Sequence, residues 1–268
     1  MKTADRIWII ILVLILVSFA GVTVYSGMWP PVSVVESSSM QHSDSWTANA
    51  INTGDIVFVK KVTDTQTQVT TYLNGSKTGY STYGEFGSVI LYRSSSGNVV
   101  IHRPMFYLTW KGSMPVVSGY DNQLWINITS NYVLMKDVGY SHRNLLIILK
   151  GMVGESGFIT VGDHNLALSY NYNKTLNAYV AADQNTGITN TPVPASHVIA
   201  VAYGEIPWFG LIKLNIMRAY GEWPYYNDVP QNSYLYLGIS MVAIIGASEF
   251  KPDASNCVLY CRHKSLNQ

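Results

Sequence analysis

The stretch SVILYRSSSGNVVIH, residues 88–102, decides the fold class, because two short runs rich in β-branched and other apolar residues flank a turn. The runs Ser88–Tyr92 and Asn98–His102 are typical of strands, and the turn Ser94–Gly97 lies between them. Such runs and turns favour a mainly β domain with a coiled, multi-part or barrel-like sheet. They also predict strands at residues 55–59, 123–129, 145–149, 158–161 and 197–202, and a hairpin around Asn74-Gly75 over residues 69–83.

Few helices are expected between residues 27 and 231, because no long stretch there repeats apolar residues every 3.6 positions. Residues 166–196 are polar and lack periodicity, which predicts a long excursion between two strands. Charged residues make up 12% of the chain and the formal net charge is +1, so a nucleic-acid-binding protein is excluded. The 268-residue chain leaves room for one domain, residues 27–231, of about 200 residues.

An uncharged apolar run covers residues 7–24 and predicts a transmembrane anchor over residues 7–26. At about 1.5 Å per residue this run would form a helix roughly 27 Å long, close to the thickness of a bilayer core. Lys2 and Arg6 precede it, so residues 1–6 are expected in the cytoplasm and the β domain outside the cell membrane. A cleavable signal peptide is the alternative, because small residues flank Phe19 at Ser18 and Ala20.

A second apolar run near the C-terminus, Tyr234–Ala247, can form another transmembrane helix over residues 232–250, and a buried core segment is the alternative. The tail at residues 251–268 is basic, which suits a cytoplasmic end. Its two cysteines, Cys257 and Cys261, should then be reduced. Together with His263 they make only a weak zinc pattern, so we expect no metal or other cofactor.

Three polar segments carry residue types that could perform acyl transfer. Ser39 ends a run of three serines, His102 ends a predicted strand, and Asp163 follows a glycine. A serine hydroxyl becomes a nucleophile when a base removes its proton, and a carboxylate then orients the histidine base. Taken singly, Ser39 is more readily a linker residue, His102 a structural residue at a strand end, and Asp163 part of a turn. Lys60 or Lys61 could also act as the base of a Ser–Lys dyad.

Five segments in order resemble the membrane-bound type I signal peptidases of the archaeal and endoplasmic-reticulum kind, and the resemblance covers about residues 5–215. Ser37-Ser38-Ser39-Met40 resembles the family's serine box, and Ile101-His102-Arg103 its base motif. The other three segments are Asn52–Val59, which resembles a Gly-Asp strand, Gly162–Asn165, which is similar to a Gly-Asp-Asn-Asn box, and Val198–Gly210, which resembles the closing strand with its Ile-Pro.

The resemblance implies a serine endopeptidase that removes signal peptides from exported preproteins at the extracytoplasmic side of the cell membrane, and it allows association with a secretion channel. Ser39 would be the nucleophile and His102 the general base. The oxyanion would bind the Ser39 N–H and the Ser37 hydroxyl. Asp163 is preferred as the orienting acid because it matches a motif, and Asp183 is the alternative by chain order.

Departures from the family pattern occur at several of these segments. His42 stands where the family usually has proline, Gly87-Ser88 replaces Gly-Asp, and Ser169 stands where a second acid is usual. A non-catalytic, membrane-anchored β-rich surface domain therefore remains the main alternative, and another anchored serine hydrolase is a third. The aromatic residues Trp29, Trp208, Phe209 and Trp223 are candidates for a lipid-facing surface or, equally, for core packing.

Overall fold

A computed structural model describes residues 3–249 of the chain. Residues 22–234 form one compact unit, and the described residues outside it, 3–21 and 235–249, belong to a second, helical unit. The predicted basic tail at 251–268, with Cys257, Cys261 and His263, lies outside the described residues, as do residues 1 and 2.

The described chain is mainly β, as the sequence predicts. The strands, in chain order, are β1 (Val32–Val34), β2 (Ile56–Lys61), β3 (Ser81–Thr82), β4 (Glu85–Phe86), β5 (Val89–Arg93), β6 (Val99–Lys111), β7 (Met114–Val117), β8 (Ile126–Ile128), β9 (Tyr132–Val138), β10 (Arg143–Ile148), β11 (Gly157–Val161), β12 (Tyr172–Asn173), β13 (Ala178–Tyr179) and β14 (Val198–Ile206). The helices are α1 (Thr3–Ser26), α2 (Thr65–Gln68), α3 (Tyr72–Thr78), α4 (Asp163–Leu168), α5 (Asp183–Thr186), α6 (Gly210–Ala219) and α7 (Ser233–Glu249), with 3-10 turns at Ala195–His197 and Tyr226–Asp228.

Two larger sheets and one short ribbon make up the β structure. The seven-stranded sheet has the order β1-β2-β14-β5-β6-β11, with β7 also paired to β6, and its pairs are antiparallel. The five-stranded sheet has the order β12-β13-β10-β9-β8, in which only β10 and β13 are parallel. The barrel-like closure stays a prediction.

The largest core cluster contains buried residues from both larger sheets, among them Phe106 of β6, Met135 of β9, Leu145 of β10 and Ile159 of β11. A second cluster packs Val57 and Leu91 of the seven-stranded sheet against neighbours that include Met40. Met40 is 1% exposed, so burial of its side chain fixes the loop that carries the preceding residue, Ser39. The core thereby positions the serine run.

The hairpin prediction at residues 69–83 is wrong, because Tyr72–Thr78 forms helix α3. The Thr71 side chain accepts a hydrogen bond from the Asn74 N–H and caps the helix start. Gly79, with φ of +76°, ends the helix in the left-handed conformation that glycine adopts at low cost. Capping residues at both ends therefore outweigh the Asn-Gly turn signal.

Helix α1 contains a 19-residue segment, Trp8–Ser26, with a mean hydropathy of 2.6, which is long and apolar enough to cross a membrane. Helix α7 covers part of the predicted segment 232–250, but its apolar part, Ser233–Gly246, is shorter than a usual span. A second membrane crossing therefore stays a prediction. Residues 166–196, predicted as an excursion, hold only the short elements β12, β13 and α5 besides the end of α4 and a 3-10 turn.

Candidate active site

His102 lies on β6, paired with Ile90 of β5, and its side chain is 3% exposed. Its Nδ1 is 2.8 Å from Oδ2 of Asp183, the first residue of α5. The Tyr92 hydroxyl donates to the same carboxylate oxygen at 2.7 Å. Asp183 is fully buried, so this carboxylate is fixed beside the imidazole by two contacts in a water-poor site. The other imidazole nitrogen, Nε2, lies on the side of the ring opposite to Asp183.

Ser39 and His102 line one cleft of about 560 Å³. A Cβ built on Gly162 would lie 2.6 Å from the Ser39 carbonyl oxygen, 2.8 Å from His102 Nε2 and 2.8 Å from Asn165 Nδ2. The Ser39 carbonyl oxygen and Nε2 of His102 therefore approach the same point above Gly162. The close packing there has no room for a side chain at position 162.

The hydroxyl groups of the serine run contact different partners. The Ser38 hydroxyl donates to Asp228 Oδ2 at 3.0 Å, whereas the Ser37 hydroxyl contacts Ser39 Oγ at 3.5 Å. The Ser39 carbonyl accepts the His164 N–H at 2.9 Å, which ties the loop to the start of α4. In this geometry the Ser39 hydroxyl oxygen accepts the Ser37 hydroxyl, and among the described residues no hydrogen bond joins it to His102.

The structure does not pair Asp163 with His102, contrary to our preference for Asp163 as the orienting acid. Asp163 instead forms a two-point ion pair with Arg103, with Nε to Oδ1 at 2.9 Å and Nη2 to Oδ2 at 2.7 Å. The reason is the strand geometry: His102 and Arg103 are neighbours on β6, so their side chains point to opposite faces. Each face meets one carboxylate, and the carboxylate at His102 is Asp183.

Burial alone would raise the pKa of Asp163, but the Arg103 guanidinium outweighs it and lowers that pKa to about 2. The Arg103 side chain is 1% exposed and also donates to the carbonyl groups of residues 85–87 at 3.2–3.3 Å. His42 Nε2 is 3.1 Å from Asp163 Oδ2, so the residue that replaces the family's proline joins this pair. Asp163 thus connects β6 to the loop that follows Ser39.

Asp55, in the Gly-Asp segment, holds the later Ile-Pro segment in place. Its Oδ1 accepts the Trp208 N–H at 2.9 Å and the Trp46 indole N–H at 3.3 Å, and its Oδ2 accepts the Asn52 N–H at 2.9 Å. Burial raises the pKa of Asp55. Two of the segments quoted for the resemblance therefore meet through one buried carboxyl group. Asp55 does not line the serine cleft, but its backbone carbonyl accepts the N–H of Val35, which does.

The lysines weighed as alternative bases lie elsewhere. The Lys60 ammonium sits 4.2 Å from the centre of the Tyr25 ring, Lys61 is exposed, and neither lines the serine cleft. Of the aromatic candidates for a lipid-facing surface, Trp29 is 71% exposed whereas Trp223 is buried. Trp223 is thus a packed residue.

Sequence reasoning missed Tyr92 and Tyr225 as site residues. Tyr92 contacts the Asp183 carboxylate and Tyr225 lines the cleft, yet neither lies in a recognisable chemical motif. Asp183 was a candidate only by its order in the chain, although it lies in the long polar stretch 166–196, and such stretches are often functional. Within residues 3–249 no group of three His, Cys, Asp or Glu side chains is arranged to hold a metal ion.

No protein-family model matches this sequence, and no curated protein is significantly similar to it. The site therefore has to be interpreted from its own geometry.

Proposed function

We propose that this protein is a membrane-bound serine endopeptidase of the signal-peptidase type, which removes N-terminal signal peptides from exported preproteins. One observation carries the proposal: His102 is held by Asp183 at 2.8 Å on one side and shares a cleft with Ser39 on the other. A hydroxyl, an imidazole and a buried carboxylate in this order are the parts that serine acyl transfer requires.

In the proposed reaction the Ser39 hydroxyl oxygen attacks the peptide carbonyl carbon while His102 Nε2 takes its proton. The C–N bond then breaks, and the same proton passes to the leaving amine. Water releases the acyl group from Ser39 by the reverse sequence. Asp183 stabilises the imidazolium, and the Ser39 N–H with the Ser37 hydroxyl, 3.5 Å from Ser39 Oγ, would bind the oxyanion.

Two open strand edges beside the cleft support a peptide substrate. Strand β1 is the edge of its sheet, and residues 99–102 of β6 pair with β5 but precede the part of β6 that pairs with β11. Residues 33–37 and 98–102 line the cleft, and both segments lead toward Ser39 and His102. An extended chain could add backbone hydrogen bonds to either edge, with its scissile bond at the serine.

The short connection between Ser26 and Ser39 supports a substrate that emerges from the membrane. The Ser26 hydroxyl at the end of α1 donates to the Val59 carbonyl of β2 at 2.7 Å. Gly27–Ser38 is the whole connection from that helix to the nucleophile. If α1 crosses the bilayer, the cleft stays within a short distance of the lipid surface. Signal peptides are apolar segments cleaved at that surface, next to small residues.

The test uses the full chain in lipid vesicles with a preprotein that has small residues before its cleavage site. We expect Ser39→Ala and His102→Ala each to lower the cleavage rate about 10⁴-fold or more. Ser43→Ala is the matched control, because Ser43 lies on the same loop and its hydroxyl accepts the Ser45 N–H. Cleavage that survives Ser39→Ala, or a wild-type chain without cleavage, would reject the peptidase in favour of a non-catalytic surface domain.

A further inference from the structure

Residues 223–231, which we call the strap, lie beyond the segments that carry the resemblance and pack against the serine run. The Trp223 indole N–H donates to the Glu36 carbonyl at 2.8 Å, and Trp223 is 2% exposed. Asp228 Oδ2 accepts the Ser38 hydroxyl at 3.0 Å. These two contacts attach the strap on either side of Ser37, immediately before the proposed nucleophile.

The far end of the strap is attached to the chain after the nucleophile. The Gln231 N–H donates to the Asp44 carbonyl at 2.8 Å, and the Gln231 carbonyl accepts the Trp46 N–H at 3.3 Å. Ser45 forms a parallel bridge with Gln231. The strap therefore binds the loop before and after Ser39, and both ends of the strap have fixed positions relative to the cleft.

Tyr225 lies between the first two attachments and lines the same cleft as Ser39 and His102. Tyr225 is 49% exposed, so it is not buried in the core. The next residue, Tyr226, lies under the Arg218 guanidinium at 3.9 Å from its ring centre and does not line the cleft. Two adjacent tyrosines thus have different surroundings, and only Tyr225 can meet a substrate there.

We propose that Tyr225 is a specificity-determining residue, whose ring takes up space in the cleft and limits the size of the substrate side chains that bind near Ser39. This inference rests on the proposed peptidase function. A bulky ring carried by backbone that is attached on both sides would exclude larger side chains by steric overlap, which is one way to build specificity. The contacts of Trp223 and Asp228 attach the strap on both sides of Tyr225.

The experiment measures kcat/KM for preproteins in which each of the three residues before the scissile bond is changed in turn from Ala to Leu. We expect Tyr225→Ala to raise the Leu-to-Ala ratio at one or more of these positions by about 10–200-fold, the range for filling or opening an apolar pocket. Tyr225→Phe should keep the wild-type ratio because it retains the ring. Tyr226→Ala is the matched control and should also keep that ratio.

Each outcome is informative because the ratio compares two substrates on the same enzyme. A Leu-to-Ala ratio that rises in Tyr225→Ala but not in Tyr226→Ala supports the inference. A ratio that is unchanged at all three positions, or that changes equally in both variants, overturns it while Ser39-dependent cleavage still stands. If the wild-type chain cleaves nothing, the proposed function itself fails, and the two failures are therefore distinguishable.

Discussion

Exchanging each of the two buried carboxylates for an amide separates their proposed roles. Asp183→Asn and Asp163→Asn make the same chemical change, but the first faces His102 and the second faces Arg103. We expect Asp183→Asn to affect mainly the rate of cleavage and Asp163→Asn mainly the stability of the fold. The two variants act as controls for each other.

The expected rate loss follows from the contacts of Asp183. Its Oδ2 accepts from both His102 and Tyr92, whereas its Oδ1 is buried without a hydrogen-bond partner among the described residues. An amide whose oxygen takes the place of Oδ2 puts its NH₂ group at the buried Oδ1 position without a hydrogen-bond acceptor, at a cost of about 1–3 kcal/mol. An amide turned the other way presents NH₂ to His102 and favours the wrong tautomer. We expect kcat/KM to fall about 10³–10⁴-fold, as when a triad carboxylate is made an amide.

The expected stability loss follows from the burial of Arg103. Asp163→Asn leaves a guanidinium that is 1% exposed without its charged partner, and breaking a buried ion pair costs about 3–5 kcal/mol. For a domain of this size, each kcal/mol lowers Tm by about 2–4 °C, so Tm should drop by about 6–20 °C. The remaining carbonyl acceptors of Arg103 would keep the loss toward the lower end.

The assay pairs thermal unfolding in detergent, followed by tryptophan fluorescence, with preprotein cleavage at a temperature where both variants are folded. Asp183→Asn should show the larger rate loss and Asp163→Asn the larger drop in Tm. A near-wild-type rate for Asp183→Asn, together with a rate loss in Asp163→Asn at unchanged Tm, would refute the assignment of Asp183 as the orienting acid.

Three further predictions concern Gly162, Asp163 and Glu205. Gly162→Ala should lower the cleavage rate about 10²-fold or more, because the new methyl group would lie within 2.8 Å of both Ser39 O and His102 Nε2; a wild-type rate would contradict the close approach. The pKa of Asp163 is lowered from its ordinary 3.8 to about 2 in the folded protein. This shift contributes about 2 kcal/mol of folding stability above pH 4, which is lost as the pH falls through 2. Acid unfolding of Asp163→Asn should lack this pH-dependent loss. Burial raises the pKa of Glu205 from 4.5 to about 7, so the folding stability falls as the pH rises between these values. We therefore expect Glu205→Gln to raise Tm more at pH 8 than at pH 5. Equal shifts in Tm at the two pH values would count against this.

Local sequence signals predicted those parts of the fold that depend on neighbouring residues. The run at residues 7–24 predicts helix α1 because an uncharged apolar run of this length favours a helix long enough to cross a bilayer. The runs at 88–92 and 98–102 predict β5 and the start of β6 because β-branched residues suit a buried strand. The Asn-Gly prediction at residues 74–75 failed because Thr71 and Gly79 cap a helix there, and capping competes with turn formation.

Some residues of the candidate site could likewise be predicted from the sequence, whereas others could not. The ordered segments that resemble the signal-peptidase family selected Ser39 and His102 from the sequence, and they left two candidates for the orienting acid, with Asp163 preferred over Asp183. Only the tertiary structure decides which carboxylate contacts His102, because adjacent residues of a strand point to opposite faces and each face receives a segment from elsewhere. The Asp183 segment and the strap have no periodic pattern, so their places depend on long-range contacts that short stretches of sequence do not encode.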